Sequence, residues 1–211
     1  GYRGPKKAAA ERQPAESART GKEKEKKAAA PAPSAAEAAS ARPVGRPRRG
    51  RPPKNQAPAT PVRLTMLGGL NEIGKNITMF EYGNDAFVID CGMAFPDDEM
   101  LGVDIVLPDF THVVKNQDRL HGIVLTHGHE DHIGGLPYLL KQVNLPVYGT
   151  RLTLALVESK LKEHGLSGKV KLHEVKPGDV VRFGAVSVEF INVNHSIPDA
   201  VALGIKTPIG Y

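Results

Sequence analysis

The chain has 211 residues, with 28 Lys+Arg against 23 Asp+Glu and a formal net charge of +5. That length holds one or two domains; no apolar run approaches the ~20 residues needed to cross a bilayer, and without an apolar stretch near the start of this sequence no secretory signal is expected. The single cysteine, Cys91, excludes an intrachain disulfide and fits a reducing, cytoplasmic setting without membrane association.

The charge is divided along the chain. Residues 1–60 hold 15 of the Lys+Arg and 5 of the acidic residues, a net of +10, while residues 61–211 come to −5. The first 60 residues contain one Tyr and one Val but no Leu, Ile, Met or Phe. So little apolar surface cannot offset the entropy of ordering, and the segment reads as a disordered, basic Ala/Pro/Lys/Arg-rich tail. Within it "GRPRRGRPPK" sets Arg46, Arg48, Arg49, Arg51 and Lys54 around Gly50. Two arginines beside a glycine fit a narrow minor groove, as in the AT-hook that "RRGRPPK" resembles. The plainer reading is a polycation that adheres to any nucleic-acid phosphate. RNA, DNA and protein all stay open as partners of the tail.

From Pro61 the pattern changes to short strands. "VRLTML" leads into the glycine-rich "GGLNEIGKN", which lacks the GK[ST] ending of a phosphate loop. "ITMFEY" and "AFVID" flank "GND", a hairpin signal, and "GIVLT" reads as a buried strand. "GGLPYLLKQV" reads as a helix with Leu136, Leu139, Leu140 and Val143 on one face, and "PVYG" as a brief strand. "RLTLALVESKLKEHG" is the strongest helix, with stripes Leu152/Ala155/Leu156 and Leu154/Val157/Leu161 and Gly165 as its C-terminal glycine. "KLHEV", "DVVRF", "AVSVEFINV" and "AVALGIKT" are strands again. Strands, helices and strands in this order predict a layered α/β domain over residues 61–211.

Between "GIVL" and "GG" lies "THGHEDHI", which crowds His127, His129, Asp131 and His132 onto what reads as one short loop. Neutral imidazoles and a carboxylate are suitable zinc ligands without any thiolate. The H-x-H spacing offers two nitrogens to one ion, and the D-H pair offers an oxygen and a nitrogen to a second. Two ions ~3.5–4 Å apart can clamp an in-line displacement at phosphorus. Asp90, at the end of "AFVID", is placed to hold a ligand imidazole from behind, or simply to end a strand in a turn. His112, His121, His164 and His173 have no ligand partners nearby in sequence and read as surface or packing residues.

"HGHEDH" after a buried strand resembles the metallo-β-lactamase superfamily. "LGGLNEIGKN", "FVIDCGMAFPDDEMLGVDIVLPD", "GIVLTHGHEDHIGGLPYLL", "LPVYGTRLTLALVESKLKEHGL" and "VNHSIPDAVALGIKTP" together resemble the bacterial ribonuclease J family, its β-CASP members. The resemblance covers residues 62–211 and implies an αββα sandwich, here in part, preceded by the tail. It implies that His127 and His129 hold one zinc and Asp131 and His132 another, with His195 of "HSIPD" the next ligand and Asp90 behind them. It implies that Asp131 acts with the metal-bound hydroxide, and that structural calcium binds at the Gly102 carbonyl and the Asp104 carboxylate of "LGVD". The same loop likeness lets Glu72 and Asn76 shape the site without being ligands. In the family a bridging aspartate follows on an "HTGD"-type strand end, and the β-CASP domain lies beyond it. Neither is in this sequence, which begins without Met and ends at "KTPIGY" and therefore reads as an N-terminal fragment, inactive by itself.

The expected function is a two-zinc ribonuclease, exonuclease and endonuclease in the intact protein, acting in ribosomal RNA maturation and messenger RNA turnover. The expected partners are RNA, a homo-oligomer (dimer or tetramer) and RNA-decay proteins. The rivals are another hydrolase or a DNA nuclease of the same fold, and a non-catalytic nucleic-acid-binding protein that works through its tail.

Overall fold

The computed structural model describes residues 60–211. The expected tail, with its contacts at Arg46, Arg48, Arg49, Arg51 and Lys54, lies outside the described residues. Strands β1 (Val62–Gly68), β2 (Ile77–Tyr82) and β3 (Asp85–Ile89) form an antiparallel meander. The β2–β3 link is a two-residue turn, with Tyr82 opposite Asp85 and Gly83 in the left-handed region that such turns require. From β3 onward the sheet is parallel: β4 (Leu120–Val124), β5 (Val147–Gly149) and β6 (Leu172–Glu174) follow in order, giving six strands.

Parallel strands need crossovers, and these are helical. Helix α1 (Thr111–Lys115) and a 3-10 turn (Gln117–Arg119) precede β4. Helices α2 (Glu130–Ile133) and α3 (Leu136–Leu140) join β4 to β5, and α4 (Arg151–Glu163) joins β5 to β6. A second, antiparallel sheet of β7 (Val180–Phe183), β8 (Val186–Asn192) and β9 (Val201–Lys206) closes the described chain.

The central strands of the six-stranded sheet are buried on both faces, which is why "GIVL" is an unbroken apolar run, while the edge strands β1 and β6 stay largely exposed. Ile77, Met79, Val88 and Ile123 point to the helices and pack with Leu136, Leu139, Leu154, Val157 and Leu161. Their neighbours Phe80, Phe87 and Val124 point the other way, onto Phe183, Val188, Phe190 and Val201 of the second sheet. Phe87 stacks between Phe80 and Phe183, with ring centroids 5.0 Å from each. The layers are thus helices, sheet and sheet. The second helical layer of an αββα sandwich is not among the described residues.

Helix α4 follows its sequence signals. Leu154, Val157 and Leu161 are its buried stripe. Gly165, at φ +71, lets Leu166 N–H reach the Leu161 carbonyl and its own N–H reach that of Lys162, which satisfies the last carbonyls. Two expectations need correction. The histidine segment is not all loop: a separate helix α2 begins at Glu130, so Asp131 and His132 are helical, and the helix expected from Gly134 to Val143 is the shorter α3, Leu136–Leu140. Helix α1 has no counterpart in the sequence reading, because five residues are too few to show a helical period.

Candidate metal centre

The site forms where strands end. β3 and β4 are adjacent and parallel, with Ile89 opposite Val124, so their exits put Asp90 beside Thr126 and His127. Open sheets hold ligands outside such carboxyl ends. The second sheet reaches the same point from the other side. Val201 N–H, at the start of β9, donates to the Thr126 carbonyl (2.9 Å), and the loop before it carries His195. His127 Nε2 lies 3.1 Å from His129 Nδ1 and 3.1 Å from His195 Nε2. These three nitrogens lie within 4.8 Å of one another, with His127 buried, His129 half-buried and His195 exposed.

Asp90 decides which nitrogens face this point. The residue is buried and held at φ +57, a left-handed conformation that aspartate tolerates better than most side chains. Its Oδ1 accepts the Thr126 N–H, and its Oδ2 accepts the Thr126 hydroxyl, each at 2.8 Å. The one hydroxyl proton is then used, so at 2.9 Å Thr126 Oγ1 accepts from His127 Nδ1–H. His127 Nε2 is left with its lone pair toward His129 and His195. Asp90 Oδ2 also takes Nδ1–H of His132 at 2.8 Å, which frees the Nε2 of His132 in the same way.

Charge separates the two rings. Burial, then the neighbouring His132, with His195 and His129 adding, pushes the His127 imidazole down to about 4, against an attraction from Asp90. Burial also pulls His132 down, but its hydrogen bond to Asp90 and the charges of Asp90 and Asp131 outweigh it, and the net shift is upward. A neutral His127 keeps its lone pair at neutral pH. The three imidazole nitrogens of His127, His129 and His195, facing one another, form a donor set that a borderline-soft cation such as zinc fits.

Asp131 and His132 lie at the start of α2, with His132 Nε2 3.5 Å from Asp131 Oδ2. Glu130 beside them is held by Lys160 of α4 at 2.5 and 2.7 Å, which ties α2 to the longer helix. Close backbone approach sets their position. A Cβ on Gly92 would come within 1.6 Å of the Asp131 carbonyl oxygen, so no other residue fits there. Asn76 reaches the pair from the Gly-rich loop, its amide nitrogen 3.0 Å from Asp131 Oδ2 and 3.2 Å from His132 Nε2.

The structure thus gathers His127, His129 and His195, places Asp131 and His132 next to them, and puts Asp90 behind both sets. Gly102 and Asp104 are exposed, and among the described residues no group of three metal-ligating side chains other than the histidine cluster forms. Two oxygens fall far short of the six to eight that calcium takes. Glu72 turns back to Gly69 N–H and Lys75 and stays exposed, away from the histidines. His121 bonds Asp85, His164 caps α4 against Tyr138, and His173 stacks on Tyr148. Cys91 is fully buried, and burial with Asp90 beside it pushes its thiol up, away from reactivity. Thr126 went unnoticed in the sequence, although a hydroxyl beside ligand-type histidines is a signal for outer hydrogen bonding. Asn76 is 55 residues from Asp131, and no spacing pattern links them.

Comparison with known proteins agrees with this geometry. The metallo-beta-lactamase superfamily profile matches residues 70–205. The chain is 46% identical over 149 residues to ribonuclease J2 of Bacillus subtilis (strain 168), and 48% identical over 151 residues to ribonuclease J of Synechocystis sp.. Each match covers 71% of this chain but only 27% and 24% of the relative, so the chain spans about a quarter of the length of these curated relatives. Among solved structures, a protein of unknown function from Enterococcus faecalis V583 superposes with a TM-score of 0.52 at 18% identity. That match covers 70% of this chain and 41% of the other, and is a likeness of fold alone.

Proposed function

This chain belongs to the metallo-β-lactamase superfamily, and from that premise we propose that it carries the metal site of a zinc-dependent ribonuclease that processes and degrades RNA. The observation that carries the reading is the convergence of His127, His129 and His195 in a chain 46% and 48% identical to proteins named ribonuclease J. His127, His129 and His195 would hold one ion, and Asp131 with His132 would begin a second site. Bound zinc supplies Lewis acidity, lowering the pKa of water toward ~7 and offsetting charge at a phosphodiester during displacement.

The protein's own groups do the rest. Asp90 keeps both Nδ1 protons turned inward, directly for His132 and through Thr126 for His127. Asp131 is the proposed catalytic carboxylate. Its side chain is 40% exposed, and Asn76 holds Oδ2, which would leave Oδ1 for the second ion and the hydroxide beside it. The second site has two donors among the described residues, so a further carboxylate would have to close it. These 211 residues alone should therefore cleave RNA poorly, since positioning and charge stabilisation supply most of the acceleration in such reactions.

Ribosomal RNA maturation, messenger RNA turnover, cytoplasmic location, a dimer or tetramer and RNA-decay partners belong to the same proposal and rest on the likeness to the J enzymes. No described helix is long and apolar enough to cross a membrane. The test is degradation of a 5′-monophosphorylated RNA by the full-length protein, together with its zinc content. About two zincs per chain are expected, with loss of activity and of metal in His129→Ala. Full zinc occupancy and undiminished cleavage in that variant would remove the ligand assignment.

A further inference from the structure

We propose that Asn76 is the positioning residue of the second half-site: its side-chain amide orients Asp131 and His132 for a metal ion without being a ligand itself. This rests on the reading of those two residues as ligands. Asn76 is fixed through its backbone first. Its N–H donates to the Asp131 carbonyl, and its own carbonyl accepts Gly92 N–H, both at 3.0 Å, so it bridges the exit of β3 and the start of α2. Lys75 and Gly74 before it both take positive φ, 51° and 98°, and this turn delivers Asn76 to that bridge.

The side chain then has three acceptors within reach of one nitrogen. Nδ2 lies 3.1 Å from the Asp131 carbonyl, 3.0 Å from Asp131 Oδ2 and 3.2 Å from His132 Nε2. An amide nitrogen has two hydrogens. When a cation takes the His132 lone pair, both hydrogens still have oxygen partners, so binding leaves no donor stranded. The amide cannot turn over usefully. Its Oδ1 faces Gly69, where an added Cβ would come within 2.6 Å of it, and turning it would set that oxygen against the oxygens of Asp131. The choice of a neutral donor also has a reason. A lysine here would neutralise the carboxylate and compete with the incoming ion, and an aspartate would repel Asp131. Asparagine restricts the carboxylate and leaves its charge for the metal.

The experiment is calorimetric titration of Zn2+ into chelator-treated full-length protein, with Co2+ absorption as a second readout. Wild type is compared with Asn76→Ala and with Asn76→Leu, which fills the same space without a donor. The expected result is a second ion bound about 10–100-fold more weakly in both variants, with altered Co2+ bands for the second equivalent. The first ion should bind as in wild type, because Asn76 makes no bond to His127, His129 or His195. A second ion bound as tightly as in wild type would overturn the proposal, and so would equal weakening of both ions, which marks general structural damage. A wild-type protein that takes up only one ion would overturn the ligand reading beneath it, and that result needs no variant to be seen.

Discussion

The two half-sites are built differently. His127, His129 and His195 come from both sheets, and they meet only because β8 and β9 lie against the exits of β3 and β4. Asp131 and His132 are neighbours on one short helix, arranged by Asn76 and Asp90. The first set is a product of the whole sandwich, while the second is local and needs only its hydrogen-bonding neighbours. Disturbing the packing between the sheets should therefore separate the two sites, and disturbing Asp90 should join them in a common failure.

The largest expected effect tests the first half of that statement. Phe190 is fully buried between the sheets, and Phe190→Ala should cost about 3–5 kcal/mol of stability. The second sheet carries His195, so the same change should weaken the first metal ion far more than the second. Urea unfolding gives the stability, and metal titration gives the split. Equal weakening of both ions would mean that the first set is not specially dependent on the contact between the sheets.

Asp90→Asn is the next largest. Asparagine keeps the shape and tolerates the left-handed backbone, but its amide can offer hydrogen where the carboxylate only accepts. Both imidazoles lose the partner that fixes their tautomers, and metal affinity should fall about 10–100-fold at each half-site. Loss at His132 alone would show that the relay through Thr126 does not matter. Thr126→Val isolates that relay. It removes the hydroxyl between Asp90 and His127 but leaves the 2.8 Å bond from His132 to Asp90. The first ion alone should weaken, by about tenfold, the value of one lost hydrogen bond.

The same contrast explains what could be read from the sequence. His127, His129, Asp131 and His132 are crowded into one stretch, and their chemistry is visible because the chain itself brings them together. The strand "GIVL" and helix α4 were legible because each shows a complete apolar pattern or cap. His195 was nameable only through resemblance, since its approach to His127 depends on the packing of the two sheets, which no local pattern records. Thr126 and Asn76 act through hydrogen bonds set by backbone close approach, at Gly92 above all, and residue identity does not announce such an approach. The separate helix α2 in "HEDHIGGLPYLL" was missed for a related reason. The glycines read as the end of a loop, yet Gly134 N–H still bonds the Glu130 carbonyl and Gly135 N–H turns to the Cys91 carbonyl, so helical backbone starts before them.

The smallest effect is also the one that sets the two half-sites against each other. In the metal-free protein His127 is held down to about 4, below the ordinary imidazole value of 6.5, while His132 is raised above it. Around His127 stand His129, His132 and His195, and the Asp90 charge opposes them. Between pH 6.5 and 4 the unfolded chain protonates His127 and the folded chain resists, so the unfolded state binds more protons and stability falls as pH falls. His132 acts in the opposite sense. Its contribution is fully present below 6.5 and is lost as pH rises through its folded value. Asp85, lowered by the Ala185 N–H and by His121, keeps its contribution until pH falls through the carboxylate range, below most of this window. The two histidines together should give the metal-free protein a stability maximum near pH 6.5, with stability falling on either side. Urea midpoints of chelated protein from pH 4.5 to 8 measure it. His127→Gln should flatten the acid side and leave the alkaline side, and His132→Gln should do the reverse. An acid slope unchanged in His127→Gln would mean that the buried imidazole is not the group that resists its proton, and the lone pair assigned to the first half-site would lose its electrostatic support.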